Sequence, residues 1–149
     1  MMKRRLYLCL LSVIFFTFNL QAQNFKKPLS SLSYDELKDA FFKNEGKIEI
    51  QKKYVKAFLG KAKKENNTPK IARGYYYYSL LYDDNRKVVY FDSIINNVVL
   101  PSGEKNFPFV AYLEKGYFLS KKYRYNDAIN NYLKVERLAF SKNINYYYK

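Results

Sequence analysis

The sequence predicts an all-α domain over residues 33–142, built from antiparallel helix hairpins stacked as a short α-solenoid. Apolar residues recur three and four positions apart along most of the chain, which places them on one face of a helix. Short polar turns separate six such stretches, so successive helices are expected to be antiparallel neighbours. A hairpin of this size cannot bury its apolar face alone, and we therefore expect the hairpins to stack.

Residues 1–23 are predicted to be a signal peptide, followed by a polar lead-in at 24–32. A basic segment, Lys3–Arg5, precedes the apolar stretch Leu6–Leu20, and Ala22 ends a plausible cleavage site. The apolar stretch is shorter than the ~20 residues that a spanning helix needs. We expect export to the periplasm or the extracellular space. An uncleaved leader, anchored in the inner membrane, is the alternative and the only expected contact with a membrane.

The first hairpin is predicted at about 33–66. Ser33 and Glu36 have the spacing of a capping box at the start of the first helix, which Gly46 ends. A second helix follows at about 47–64. The apolar positions expected to face inward are Leu37, Ala40 and Phe41, then Ile50, Tyr54, Phe58 and Ala62.

The second hairpin is predicted at about 68–99. Thr68 is expected to cap its first helix, at about 69–82, with Pro69 at the first helical position. Its second helix, at about 86–98, is rich in β-branched residues that would also suit a strand, but its periodicity favours a helix. The positions expected to face inward are Ile71, Tyr75, Tyr78 and Tyr82, then Val88, Phe91, Ile94, Ile95 and Val98.

The third hairpin is predicted at about 108–141, after a loop at 101–108. Its helices are expected from Pro108 to about Lys122 and from about Asn126 to Ser141, and 143–149 is a tail or the start of an incomplete helix. The apolar residues of the last helix include Ile129, Leu133, Leu138 and Phe140. Without a capping helix, an apolar face would stay open at Leu138 and Phe140, where a second copy could bind and form a homodimer.

The third hairpin carries the clearest repeat pattern. Gly116 and Ala128 are small residues twelve positions apart, which allows two helices to approach closely. The residues expected to pack around them are Tyr112, Leu119, Tyr125 and Tyr132, the last covering Ala128. This pattern resembles a tetratricopeptide repeat. Gly74 is a weaker counterpart of Gly116, 42 residues earlier instead of the usual 34, and an insertion in the 101–108 loop would account for the surplus.

A second resemblance concerns the order of segments after the leader. Residues 33–37 (SYDEL), 57–66 (AFLGKAKKEN) and 71–76 (IARGYY) resemble the N-terminal part of tetratricopeptide-containing AraC-type regulators of flavobacteria-like organisms. In that family an extracytoplasmic repeat array is followed by a transmembrane helix and a cytoplasmic helix-turn-helix domain. The resemblance implies either a truncated sensor part of a transcriptional regulator or a free-standing relative of that family. Neither of those later parts is expected up to Lys149, so no nucleic-acid binding is expected of this chain.

The amino-acid composition limits which catalytic and metal-binding sites the chain could form. The chain has no histidine, and its only cysteine, Cys9, lies in the leader. We therefore expect no catalytic site, no metal and no cofactor. The formal net charge of +14 would suit an anionic polymer of the cell envelope. The alternative is that the lysines are spread over solvated helix faces.

The candidate peptide-binding residues are Tyr75, Tyr78, Tyr117 and Lys121. Tyr75 and Tyr78 are three positions apart in a run of four tyrosines, and Tyr117 and Lys121 hold comparable places on the fifth helix. Tyrosines beside a cation on a concave surface would bind a protein or peptide segment. The alternative is that these rings pack against a neighbouring hairpin. The leading hypothesis is a non-catalytic, extracytoplasmic protein- or peptide-binding module.

Overall fold

The computed structural model describes residues 27–98 and 107–141. Within these ranges all regular structure is helical, which confirms the all-α prediction for the described part of the chain. A short 3-10 helix lies at Leu29–Ser31. The α-helices are α1 Tyr34–Lys43, α2 Ile48–Lys64, α3 Thr68–Leu80, α4 Asn85–Asn97, α5 Phe109–Lys121 and α6 Tyr125–Ser141.

Several predicted features lie outside the described residues. They are the signal peptide at 1–23, most of the loop at 101–108, the tail at 143–149 and the side chain of Phe140. Residues from Leu32 onward, which include all six α-helices, belong to one compact unit, and residues up to Ser31 belong to another.

The start of α1 has the predicted capping box. The Glu36 backbone N–H donates to Ser33 Oγ at 3.1 Å, and the Ser33 N–H donates to Glu36 Oε2 at 2.7 Å. Two backbone donors at the helix start are thereby satisfied. The helix ends at Lys43, three residues before Gly46, whose φ of +79° lets the chain turn into α2.

The start of α3 differs from the prediction. Asn67, and not Thr68, is the N-cap, and its side-chain oxygen accepts a hydrogen bond from the Lys70 N–H at 3.2 Å. Thr68 is the first helical residue and Pro69 the second. Proline fits there because an N–H in the first helical turn has no partner within the helix, so no helical hydrogen bond is lost.

The helices pack in chain order, each against the helices that precede and follow it. Two apolar clusters form between them, and each draws on three successive helices. The first cluster, from α1, α2 and α3, consists of Leu37, Phe41, Val55, Phe58, Tyr77 and Leu81, the last just after α3. The second cluster, from α3, α4 and α5 with their adjoining residues, consists of Ala72, Phe91, Ile94, Val98, Phe107 and Ala111. Helix α3 therefore contributes to both clusters.

The buried face of α2 is rotated from the predicted one. Phe58 and Ala62 are buried as expected, but Ile50 is exposed and Tyr54 is only half-buried. Gln51 is buried in their place, and its Nε2 donates a hydrogen bond to the Phe41 carbonyl at the end of α1, at 3.2 Å. Burying a polar side chain is tolerated here because it is hydrogen-bonded.

Most residues that α3 buries are smaller than the ones predicted to be buried. The residues expected to face inward, Ile71, Tyr75, Tyr78 and Tyr82, are only partly buried. The buried positions of this helix are Ala72, Gly74, Tyr77 and Ser79. A helix packed between two others needs small residues where the backbones approach, so most of its large rings lie at the sides.

The last helix also shows a different face. Ala128 and Val135 are buried, whereas Ile129 and Leu133, predicted among its apolar face, are 53% and 42% exposed. Helix α6 packs against α5. The residues that point away from α5 therefore remain exposed to solvent within the described structure.

Tyr77 is the centre of the first cluster. Its ring centroid lies 5.3 Å from Phe41, 5.3 Å from Phe58 and 5.5 Å from Phe42. These rings come from α1 and α2, so Tyr77 joins α3 to both helices. Aromatic pairs at such distances are stabilising beyond the area that they bury.

We expect Tyr77→Ala to lower the free energy of unfolding by about 3–5 kcal/mol, because it leaves a cavity among three phenylalanines. Leu80→Ala, at an exposed position of the same helix, should cost much less. Urea denaturation followed by circular dichroism measures both. Equal losses for the two variants would contradict the central place of Tyr77.

The carboxylate of Asp84 caps α4 and makes stability depend on pH. It accepts hydrogen bonds from the Arg86 side chain and from the Arg86 backbone N–H, which lower its pKa from 3.8 to about 2. Because the folded pKa is the lower one, the stabilisation is present above pH 3.8 and is lost as the pH falls toward 2. In Asp84→Asn the fall in unfolding free energy between these pH values should be shallower than in the wild type. Urea denaturation of both proteins at several pH values measures this fall. The same dependence of the unfolding free energy on pH in both proteins would count against the prediction.

Candidate binding surface

Tyr75 and Tyr78 lie in different surroundings. Tyr75 packs beside the second cluster, with Lys63 Nζ 5.2 Å from its ring centroid. Tyr78 packs beside the first cluster, and its ring stacks on Tyr90 of α4 at 4.9 Å. Burial raises the pKa of the Tyr78 hydroxyl. Both rings thus have packing partners inside the protein and are only partly available to a ligand.

Tyr117 and Lys121 form a pair on the surface of α5. Tyr117 is 52% exposed, and Lys121 Nζ lies 4.6 Å from its ring centroid. A hydrogen bond to the Tyr117 hydroxyl raises the pKa of Lys121. Among the described residues, no ring contact or hydrogen bond joins this pair to Tyr75 or Tyr78. The four predicted binding residues therefore do not form one surface by direct contact.

Gly116 lies where α5 approaches α6. A Cβ atom placed on Gly116 would lie only 2.6 Å from Tyr132 Cε1, so the tyrosine ring occupies the space that a side chain would need. Ala128 is buried on the same helix as Tyr132. Of the other predicted packing residues, Leu119 is buried, Tyr112 is half-buried and Tyr125 is exposed. The nearest neighbour of Gly116 is therefore Tyr132, the residue expected to cover Ala128.

Gly74 approaches a different kind of neighbour from Gly116. A Cβ atom on Gly74 would lie 3.0 Å from Leu59 Cδ1 and 3.3 Å from Leu59 Cα. Leu59 belongs to α2, the helix before α3, whereas Tyr132 belongs to α6, the helix after α5. Each glycine therefore allows a close approach to a different neighbour, Gly74 to the preceding helix and Gly116 to the following one.

Helix α6 carries an exposed apolar stripe, defined as Tyr125, Ile129, Tyr132 and Leu133. At 100° per residue these four side chains fall within an arc of about 100°. The spacing i, i+4, i+7, i+8 is that of a helix face suited to packing. Tyr132, at one edge of this face, meets Gly116 of α5, whereas Tyr125, Ile129 and Leu133 stay exposed within the described part of the chain.

Charges flank the α6 stripe without dominating it. Arg124 Nη2 pairs with Asp127 Oδ2 at 2.6 Å. Lys134, Glu136 and Arg137 have no ion-pair partner among the described residues. Acidic and basic side chains are therefore balanced along α6, and its apolar residues set the character of this surface.

A ladder of stacked rings joins α3 to α4. Tyr90 stacks on Tyr78, at 4.9 Å, and on Tyr82, at 5.7 Å, and the Arg86 Cζ lies 4.1 Å from the centroid of the Tyr82 ring. Burial raises the pKa of the Tyr90 hydroxyl. The predicted binding surface missed this ladder, although Tyr78, Tyr82, Arg86 and Tyr90 recur every four residues. The contacts of Tyr90 with both tyrosines hold the two helices together.

No group of three histidine, cysteine, aspartate or glutamate side chains in the described ranges is placed to hold a metal ion. In the same ranges, no helix is long enough and apolar enough to cross a membrane. Comparisons with family models, with curated proteins and with solved structures found no match to this chain.

The contact between Gly116 and Tyr132 predicts a coupling between two substitutions. Gly116→Ala should lower the free energy of unfolding by about 1–3 kcal/mol, because its methyl group displaces the Tyr132 ring. In a Tyr132→Ala background the same change should instead stabilise by up to about 1 kcal/mol, since alanine favours helices more than glycine.

The Gly116 and Tyr132 substitutions, made singly and together, form a double-mutant cycle. Gly60→Ala is its matched control, because no heavy atom lies within 4 Å of the added methyl group. It should stabilise α2 to the same degree with and without Tyr132. Chemical denaturation of the four Gly116/Tyr132 combinations gives the coupling energy. A Gly116→Ala effect that is the same in both backgrounds would contradict the close approach of α5 and α6.

Proposed function

We propose that this chain is a non-catalytic module that binds an amphipathic helix of a partner protein along the α6 stripe. The observation that carries the proposal is the exposure of Ile129 and Leu133 on a helix whose other side is packed against α5. Exposed apolar residues that share one helix face commonly mark an interaction site. Tyr125, Ile129 and Leu133, each four residues from the next, match the ridge of apolar residues that another helix presents.

The proposal includes a tetratricopeptide-like array as the framework. Consecutive packing of α1 to α6 and the close approach at Gly116 support it. In such an array each helix pair buries a face that it shares with the next pair. The α6 stripe is then the position at which a further helix docks. Tyr117 and Lys121 supply a second, smaller contact on α5.

Export is part of the same proposal. The basic segment Lys3–Arg5 and the apolar stretch Leu6–Leu20 support a signal peptide. The partner would then be found outside the cytoplasm.

Selection of helical peptides from a displayed library against the full chain tests the proposal. Selected peptides should bind the wild type, and Ile129→Ser with Leu133→Ser should weaken them by roughly tenfold or more, because anchor residues dominate such interfaces. The matched control is Leu80→Ser with Val89→Ser, which replaces two exposed apolar residues on α3 and α4. Peptides should bind this control as they bind the wild type.

Two results would contradict the proposal. One is the absence of any peptide whose binding depends on Ile129 and Leu133. The other is a dimer, seen by analytical ultracentrifugation, that the Ile129→Ser and Leu133→Ser variant abolishes. That dimer would show that a second copy of this chain covers the stripe.

A further inference from the structure

The outer face of α2 is made almost entirely of lysines. At 100° per residue, seven positions of this helix fall within an arc of about 120°. They are Glu49, Lys52, Lys53, Lys56, Gly60, Lys63 and Lys64, and we call them the α2 lysine face. No apolar side chain of α2 lies within this arc. From Lys52 to Lys64 the row extends about 18 Å along the helix axis.

Most of this positive charge is not neutralised within the protein. Glu49 is the one acidic residue of the face, and its Oε1 pairs with Lys52 Nζ at 2.6 Å. Lys63 Nζ lies over the Tyr75 ring, at 5.2 Å from its centroid. Among the described residues, Lys53, Lys56 and Lys64 have no hydrogen-bond or ion-pair partner. Three like charges are thus held on one side of a rigid helix.

Gly60 lies in the middle of this row, and packing does not require it. A Cβ atom at Gly60 would have no heavy atom within 4 Å, and its backbone φ is not in the left-handed region. Gly74 differs, since a Cβ there would press on Leu59. A glycine inside a helix is destabilising relative to alanine, but it allows a ligand to approach the backbone closely. Gly60 therefore leaves an open space on the helix surface between Lys56 and Lys63, which we call the open step.

We propose that the α2 lysine face binds a linear polymer of phosphate groups, which runs along the helix and passes over Gly60. Protein interfaces have an apolar centre, and helices that insert into lipid have an apolar face, whereas this arc has neither. Lysine ammonium groups bind phosphate as point charges, without requiring a fixed orientation of the phosphate group. This surface is separate from the α6 stripe, and the proposal stands independently of the function assigned to that stripe.

Binding of fluorescently labelled inorganic polyphosphate to the full chain, measured at several salt concentrations, tests the proposal. A triple variant should weaken binding by about tenfold at low salt and reduce its salt dependence. Its substitutions are Lys53→Gln, Lys56→Gln and Lys64→Gln. The control, Lys43→Gln, Lys87→Gln and Lys134→Gln, removes the same charge from three other helices and should change the affinity much less. Circular dichroism verifies that both variants remain helical. Equal losses in the two triple variants would overturn the proposal, because net charge alone would then explain the binding.

The path over Gly60 has its own test. Gly60→Gln leaves the charge unchanged but fills the open step, and we expect it to weaken polyphosphate binding several-fold while Gly60→Ala has a smaller effect. Unchanged affinity in Gly60→Gln would overturn the assigned path. Polyglutamate and vesicles rich in anionic lipid serve as competing ligands. Tighter binding of either one, with the same dependence on Lys53, Lys56 and Lys64, would overturn the choice of a phosphate polymer.

Discussion

The structure depends on α3 being buried between its two neighbours. This helix supplies Tyr77 to the first cluster and Ala72 to the second, so neither cluster can form without it. Gly74 lies so close to Leu59 that a methyl group would already be tight, which brings the α2 and α3 backbones together. The remaining helices extend this arrangement by packing in chain order. Loss of α3 packing would therefore release both halves of the helical unit at once.

The same packing determines which surfaces face outward. Helix α2 turns Phe58 and Ala62 inward, and five of its six lysines lie on the opposite side. Helix α6 turns Ala128 and Val135 toward α5 and leaves Ile129 and Leu133 exposed. One outer surface is thus cationic without apolar side chains, and the other is apolar with balanced charge. Surfaces so different suit partners of different chemistry, an anionic polymer for α2 and a protein helix for α6.

The sequence predicts the helices more reliably than the directions that they face. Strong local signals, such as the Ser33–Glu36 capping box, gave the correct helix start, because capping depends on neighbouring residues only. In α2 and α3 the buried residues that differ from the predicted ones lie one position away from them. Periodicity alone cannot show that Gln51 finds a carbonyl partner or that Gly74 meets Leu59, since both are contacts between helices. For the same reason Tyr75 and Tyr78, close in sequence, lie in different clusters.

Labelling of single cysteines along α6 tests most directly whether this helix packs through one face and exposes the other. The chain contains only Cys9, so a Cys9→Ser background carries each new cysteine alone. Thiol labelling should be fast at Ile129→Cys and Leu133→Cys and slow at Ala128→Cys and Val135→Cys, as their burial requires. Equal rates at all four positions, or protection of 129 and 133, would contradict the exposed stripe on which the proposed function rests.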